Sequence, residues 1–311
     1  MTHRILITPR SLTEAPHPSV EKLRNLGIDV VYSSPGKLPN EEELLQLMSG
    51  TTGWLAGVEP ISHAVIEAAQ HLKVISRNGT GTDNLPLAKL RDNNIIVRTA
   101  DGANAAGVAE LTIGLMFAAL RHIPSTDHGI KHGKWPRKRG MEIRERTLGV
   151  VGCGAVGRDV ARLGAALGAN VLAYDPAQPL LHIPSEKFRY TELNTLFSQS
   201  DIITLHCPPP RNGKPLIDAT VLNLFRPGTI LINTARASLI NEQLLIEALN
   251  AGQLSVYATD VFDPEPPTSL LLAERPDVIA TSHIGGYTQE SIDRATEMAI
   301  ANLLESLGHH G

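Results

Sequence analysis

Arg236, Glu265 and His283 stand at or just beyond the ends of apolar, strand-like runs, and each brings a different chemistry. In Ile232-Asn233-Thr234-Ala235-Arg236 a guanidinium follows a buried strand, placed to clamp a carboxylate bidentately and polarise an adjacent carbonyl. Glu265 lies in Asp260-Val261-Phe262-Asp263-Pro264-Glu265-Pro266-Pro267, a loop stiffened by its prolines. His283 lies in Ala280-Thr281-Ser282-His283-Ile284-Gly285-Gly286, where paired glycines let backbone and ligand come close. Taken singly, these are a surface arginine, a solvated acid and a structural histidine. Taken together they answer the needs of hydride transfer to a 2-oxo acid. That reaction requires a proton donor at the carbonyl oxygen, and imidazole, titrating at about pH 6.5, suits it. It also requires a carboxylate to orient the imidazole and a cation for the substrate carboxylate.

A second constellation says what would exchange the hydride. Leu148-Gly149-Val150-Val151 reads as a short buried strand and runs straight into Gly152-Cys153-Gly154-Ala155-Val156-Gly157, with a helix expected after it. Gly152 allows the tight turn, Gly154 lets a pyrophosphate approach the backbone, and Gly157 lets helix and strand pack closely. The N–H groups and positive dipole end at the helix start, around Ala155 and Val156, face the phosphates. The next strand, Val171-Leu172-Ala173-Tyr174, delivers Asp175, whose carboxylate can accept hydrogen bonds from both adenosine ribose hydroxyls. The same charge repels a 2′-phosphate, so the expected cofactor is NAD rather than NADP.

These residues need a scaffold, and strand-like runs alternate with helical periodicity along the whole chain, the pattern of parallel α/β folds. Strands are expected near 4–8, 28–32, 53–56, 73–76 and 95–98, with helices near 18–26, 41–49, 62–70 and 86–93. After the glycine motif, strands are expected near 170–174, 201–206, 229–232, 256–260 and 278–281. A polar junction near residue 100 leads into a helix over 107–121 that is apolar almost all round and so buried between layers or subunits. A last helix over 289–307 is expected to return to the N-terminal domain. The expected fold is two Rossmann-like, doubly wound parallel-sheet domains with a cleft between them that closes on the substrate. Residues 1–98 with 288–311 would form a flavodoxin-like substrate domain, and 99–287 the NAD domain.

At 311 residues the chain exceeds what one core usually serves. A net charge of −4 gives no general attraction to nucleic acid or anionic membrane, and neither is expected as a partner. Two cysteines, Cys153 and Cys207, are too few for a disulfide framework and read as small buried thiols in a reducing cytoplasm. The N-terminus shows no signal-peptide pattern, and no apolar run reaches the roughly 20 residues of a membrane helix. The terminal Gly308-His309-His310-Gly311 is expected to fray, and no metal site is expected.

At this point the chain resembles the D-isomer-specific 2-hydroxyacid dehydrogenases over nearly its whole length. The resemblance is carried by Arg77-Asn78-Gly79-Thr80-Gly81-Thr82-Asp83-Asn84, Asn104-Ala105-Ala106-Gly107-Val108-Ala109-Glu110, the glycine motif with Asp175, His206-Cys207-Pro208, Asn233-Thr234-Ala235-Arg236, the loop 260–266, and His283-Ile284-Gly285-Gly286. It implies that His283 is the acid/base, Glu265 its partner and Arg236 the substrate anchor. It implies that Asp260 meets the nicotinamide carboxamide, that Cys207, Thr234 and Ala235 line the cofactor mainly through backbone, and that Arg236, His283 and Gly285 also touch it. The loop of Arg77, Asn78, Gly79, Thr80 and Gly81 looks like the family's substrate-carboxylate site, an anion nest of backbone N–H groups. A homodimer joined through the cofactor domains is implied as well.

Within the family, the loop 77–84 is most similar to the phosphoglycerate dehydrogenase branch, which points to 3-phosphoglycerate, hydroxypyruvate or another acid with an anionic or polar tail. One departure stands out. Many phosphoglycerate enzymes carry a basic residue after the third strand, where this chain reads Leu55-Ala56-Gly57-Val58-Glu59-Pro60. Arg77, or the cluster Lys131, Lys134, Arg137, Lys138 and Arg139 around Trp135, would then have to meet a phosphate. Nothing after Leu307 resembles the regulatory domains of the long phosphoglycerate dehydrogenases, so serine control through such a domain is not expected. The competing readings are an NAD(H)-sensing binding protein of the same fold and a glyoxylate-, formate- or phosphite-type dehydrogenase.

Overall fold

In the computed structural model every named strand pairs parallel to its neighbours, in two separate sheets. The structure describes residues 3–15 and 17–309; of the run expected to fray, His310 and Gly311 lie outside the described residues. Two compact units result, Met1–Asn104 with Thr288–Gly311, and Ala105–Tyr287.

The first unit carries β1 (Arg4–Ile7), β2 (Asp29–Tyr32), β3 (Gly53–Ala56), β4 (Val74–Arg77) and β5 (Ile96–Arg98), in the order β2-β1-β3-β4-β5. β3 and β4 are buried at every residue, as strands covered on both faces must be. The period of two along a strand divides their side chains between two layers. Leu6, Trp54 and Ile75 enter one apolar cluster, while Ile5, Ile7, Leu55 and Val74 enter the other. Ala299, Ile300 and Leu303 of the helix Gln289–Ser306 close that second cluster. Gly53 permits the approach, because a Cβ there would lie 3.2 Å from Leu303 Cδ2. Thr288 starts this helix by accepting the N–H of Ser291 at 3.1 Å.

The second unit carries β6 (Thr147–Val151), β7 (Asn170–Tyr174), β8 (Phe188–Tyr190), β9 (Ile202–Leu205), β10 (Thr229–Asn233), β11 (Leu254–Thr259) and β12 (Val278–Ala280), in the order β12-β11-β10-β9-β6-β7-β8. The chain winds outward in both directions from β6 and β9, which makes that pair the topological switch point. On one face, Ala109, Leu115, Met116 and Ala119 of the helix Ala105–Leu120 share a core with Leu148, Val150, Val160 and Ile232. That helix is not buried all round, because Ala106, Glu110 and Gly114 are exposed and Ile113, Phe117 and Ala118 half-buried. On the other face, Phe197, Ile203, Leu205 and Leu231 form the second core. Three elements go beyond those expected: the helices Arg10–Glu14 and Ile123–Lys131, and β8 at the sheet edge. Among the described residues no single helix is long and apolar enough to cross a membrane.

Candidate active site

The register of the second sheet brings the expected residues into line. Tyr174, Val151, Leu205, Asn233, Thr259 and Ala280 form one row of successive partners across β7, β6, β9, β10, β11 and β12. Each is the last or nearly the last paired residue of its strand. Asp175, Gly152, Cys207, Thr234 to Arg236, Asp260 and His283 all lie within a few residues beyond that row, at the carboxyl ends where open α/β sheets bind ligands.

The glycine turn is fixed by sterics. Gly152 has φ +91°, and a Cβ there would lie 2.6 Å from the carbonyl oxygen of His206. A Cβ on Gly157 would lie 1.8 Å from the carbonyl oxygen of Gly152, so only glycine lets the helix Ala155–Ala166 pack this close. Gly154 differs, since a Cβ there would meet nothing within 4 Å. It borders open space at the start of a helix whose first N–H groups lack intrahelical acceptors. That combination, an open cradle and a row of donors, fits a pyrophosphate. Asp175 anchors the turn, with Oδ2 accepting the N–H of Cys153 at 2.7 Å and Oδ1 that of Ala177 at 2.8 Å. Each oxygen keeps a lone pair for a ribose hydroxyl. The residues present therefore fit NAD, with glycines 152, 154 and 157, Ala155 and Val156 at the diphosphate and Asp175 at the ribose.

Burial raises the Cys153 and Cys207 thiols to about 11, and both are free, so neither offers a thiolate to chemistry near neutral pH. Burial also lowers His206 to about 3; its Nε2 lies 2.9 Å from Thr204 Oγ1. His206 is thus a neutral structural imidazole at the switch point.

His283 Nδ1 lies 2.7 Å from Glu265 Oε2, and Glu265 Oε1 accepts the N–H of Phe262 at 3.0 Å. An ionised carboxylate only accepts, so Nδ1 is the donor and Nε2 is left to exchange a proton. The His283 side chain is 52% exposed, which leaves that nitrogen accessible. Its backbone sits at φ +55°, a region non-glycine residues avoid. Asp260 supplies the restraint. Its carboxylate, 2% exposed, accepts the Thr281 hydroxyl at 2.6 Å and the N–H groups of Ile284 and Gly285 at 2.8 Å each. The resemblance gives Asp260 to the nicotinamide; in this structure three donors already hold it, and it shapes the turn that carries His283.

Arg236 is half-buried and donates from Nη1 to the Ala235 carbonyl at 2.8 Å. The buried Asn233 shapes its turn, accepting the N–H of Ala235 at 3.1 Å and donating to the Arg236 carbonyl at 2.9 Å. Thr234 Oγ1 lies 3.0 Å from Thr112 Oγ1 of the helix Ala105–Leu120. Neither Asn233 nor Thr112 is expected as a site residue from sequence. The one available signal is a threonine in the middle of an otherwise apolar helix.

The remaining candidates lie in the first unit, after β4. Asn78 donates its N–H to Ala56 O at 2.9 Å, and Gly79 O accepts from Ala100 N at 2.9 Å. Among the described residues the N–H groups of Gly79, Thr80 and Gly81 donate to no acceptor. Three successive donors without acceptors are suited to a carboxylate. Arg77, expected beside the substrate, is buried at the end of β4. It is 4% exposed, with Nε donating to Gly81 O at 2.8 Å and Nη1 to Ala56 O at 3.2 Å, so it supports the loop from beneath. In the second unit, the basic run 131–139 lies on the surface, with Trp135 82% exposed and Lys131 paired to Asp127 at 2.7 Å.

Comparison with known proteins identifies the family. Residues 113–285 match the family model of the D-isomer specific 2-hydroxyacid dehydrogenase, NAD binding domain. A hydroxypyruvate reductase of Thermotoga maritima is 38% identical over 249 residues, covering 78% of this chain and 80% of that protein. A D-3-phosphoglycerate dehydrogenase of Methanocaldococcus jannaschii is 38% identical over 259 residues, covering 81% of this chain but 47% of that protein. The chain therefore spans about half the length of such phosphoglycerate dehydrogenases. The NAD+-bound 3-phosphoglycerate dehydrogenase of Entamoeba histolytica superposes with a TM-score of 0.81 at 26% identity, covering 100% of this chain and 97% of that one. On these matches the chain belongs to the D-isomer specific 2-hydroxyacid dehydrogenases, NAD-dependent oxidoreductases.

Proposed function

We propose that this dehydrogenase interconverts a small 2-oxo acid and its D-2-hydroxy acid, of the hydroxypyruvate or 3-phosphoglycerate class, using Arg236, Glu265 and His283. The observation that carries the reading is the 2.7 Å pair of His283 and Glu265 beyond the row of strand ends that also holds the glycine cradle. When bound, NAD supplies the hydride donor or acceptor. His283 gives a proton from Nε2 to the carbonyl oxygen as the alcohol forms, and takes it back in the reverse direction. Glu265 holds the ring and steadies its protonated form. Arg236 pairs with the substrate carboxylate and polarises the carbonyl beside it. In the first unit, the N–H groups of Gly79, Thr80 and Gly81 are donors for a substrate carboxylate.

The test is a panel of 2-oxo acids assayed by NADH oxidation. Hydroxypyruvate, glyoxylate or phosphohydroxypyruvate is expected to be reduced, with NADH preferred to NADPH. Tight NADH binding without turnover of any of them would favour the sensing protein instead. Asp175→Ala is expected to raise kcat/KM with NADPH by about tenfold or more, since a like-charge clash costs several kcal/mol. An unchanged NADPH rate would remove Asp175 from cofactor selection. We further assign the chain to a homodimer in the cytoplasm. The exposed Ile123, Ile130 and Trp135 support the first, and two unbridged thiols the second. Sedimentation at twice the chain mass is the expected result.

A further inference from the structure

Glu59 is a carboxylic acid that the reaction does not use, and it is 0% exposed. It lies in the turn after β3, where Asn84 Nδ2 donates to its carbonyl at 2.6 Å and to that of Gly57 at 3.4 Å. Glu59 Oε1 accepts the N–H of Gly57 at 2.9 Å and the hydroxyl of Thr8, which itself accepts from Trp54 Nε1 at 2.9 Å. Glu59 Oε2 has no hydrogen-bond partner among the described residues and lies 2.6 Å from where a Cβ on Gly57 would be. A side chain this confined stays where it is when substrate arrives.

Its position relative to the donor loop follows from register. Ala56 of β3 and Arg77 of β4 are partners, so the turn after β3 and the loop after β4 leave the sheet about 5 Å apart. Gly57 and Asn78 are the first residues of each. The cation between them, Arg77, is turned inward onto Ala56 O and Gly81 O. Burial lowers its pKa, and the carboxylates of Glu59 and Asp83 act in the opposite direction. Arg77 thus holds the carbonyl and Glu59 the N–H of one peptide unit, Ala56–Gly57, so that the two charges lie close together at a depth where water and salt screen weakly.

We propose that Glu59 is the specificity-determining residue of this loop, a buried counter-charge to Arg77 that makes the site accept a short uncharged tail and reject a phosphorylated one. This rests on the placement of the substrate carboxylate at Gly79, Thr80 and Gly81 given above. An acid seated there extends its tail over a floor of no net positive charge. Hydrogen or hydroxymethyl meets no penalty, whereas a dianionic phosphate loses its hydration and gains no cation. Glu59 acts through the field and through the Gly57 turn, without touching substrate.

The experiment compares hydroxypyruvate with phosphohydroxypyruvate in the wild type and in Glu59→Gln, which keeps the side-chain shape and the Oε1 acceptor. The wild type is expected to favour hydroxypyruvate in kcat/KM by about 100-fold or more, because the phosphate gives up hydration that no cation replaces. Glu59→Gln is expected to narrow that ratio about tenfold, chiefly through a lower KM for the phosphorylated acid, because only the charge is removed. A packing defect alone would affect both acids alike. Calorimetric titration with D-glycerate and D-3-phosphoglycerate in the presence of NADH is expected to give the same ordering in affinity. Equal use of both acids by the wild type overturns the proposal, as does a ratio unchanged in the variant. If Glu59→Gln does not fold, the wild-type ratio and the calorimetric ordering decide alone. Turnover of neither acid instead overturns the activity on which this inference rests.

Discussion

His283→Ala is expected to lower kcat by roughly 10²–10⁴-fold, the usual worth of a positioned acid/base, while NAD affinity stays within a few-fold of the wild type. The imidazole lies 2.7 Å from Glu265, and that carboxylate is fixed in turn by the Phe262 N–H. Alanine removes the proton donor but leaves the three hydrogen bonds by which Asp260 holds the surrounding turn. Neither the glycine cradle nor Asp175 is disturbed. Stopped-flow NADH oxidation with fluorescence titration of NADH separates the two effects. Turnover within tenfold of the wild type would reject His283 as the acid/base.

Gly152→Ala is expected to abolish measurable NAD binding and to destabilise the protein. The residue sits at φ +91°, which costs an alanine about 1–2 kcal/mol by itself. Its Cβ would also lie 2.6 Å from His206 O and 2.9 Å from Cys207 N, both backbone atoms at the end of β9 that cannot swing aside. Relief requires moving the end of that strand, and with it Cys207 and the wall of the crevice at the switch point. Gly154→Ala is the matched control. With nothing within 4 Å, its Cβ enters the space assigned to the pyrophosphate, so cofactor affinity falls without loss of stability. Thermal denaturation beside calorimetric titration of NADH distinguishes them. A Gly152→Ala protein as stable as the wild type and still binding NADH would show that the turn tolerates a side chain.

What the sequence made legible follows from how local each constraint is. The glycine motif was readable because backbone sterics within one strand–turn–helix unit demand those residues at that spacing. Arg236, Asp260 and His283 were readable as strand-end residues because apolar runs mark where strands stop. The tie between Asp260 and the turn at 281–285 was not, since it joins two strands through a register that only the folded sheet sets. Asn233 belongs with it, because a buried amide serving the turn after it looks like any polar residue at a strand end. Arg77 had the composition of a surface cation; what turned it inward was the carbonyls of Ala56 and Gly81, together with the Glu59 carboxylate. β8 escaped because Phe188-Arg189-Tyr190 is too short for a period of two to register. The helix Ile123–Lys131 escaped because Pro124, Thr126 and Gly129 are weak helix formers.

The left-handed backbone of His283 carries a cost that selection for robustness alone would remove. Glycine or asparagine would occupy φ +55° with less strain, and either would discard the imidazole proposed above as the proton donor. A thermostability screen run without an activity readout would therefore be drawn toward this very position. Engineering of this scaffold for durability has to leave its least comfortable residue alone, because here resilience and catalysis compete for the same few degrees of backbone rotation.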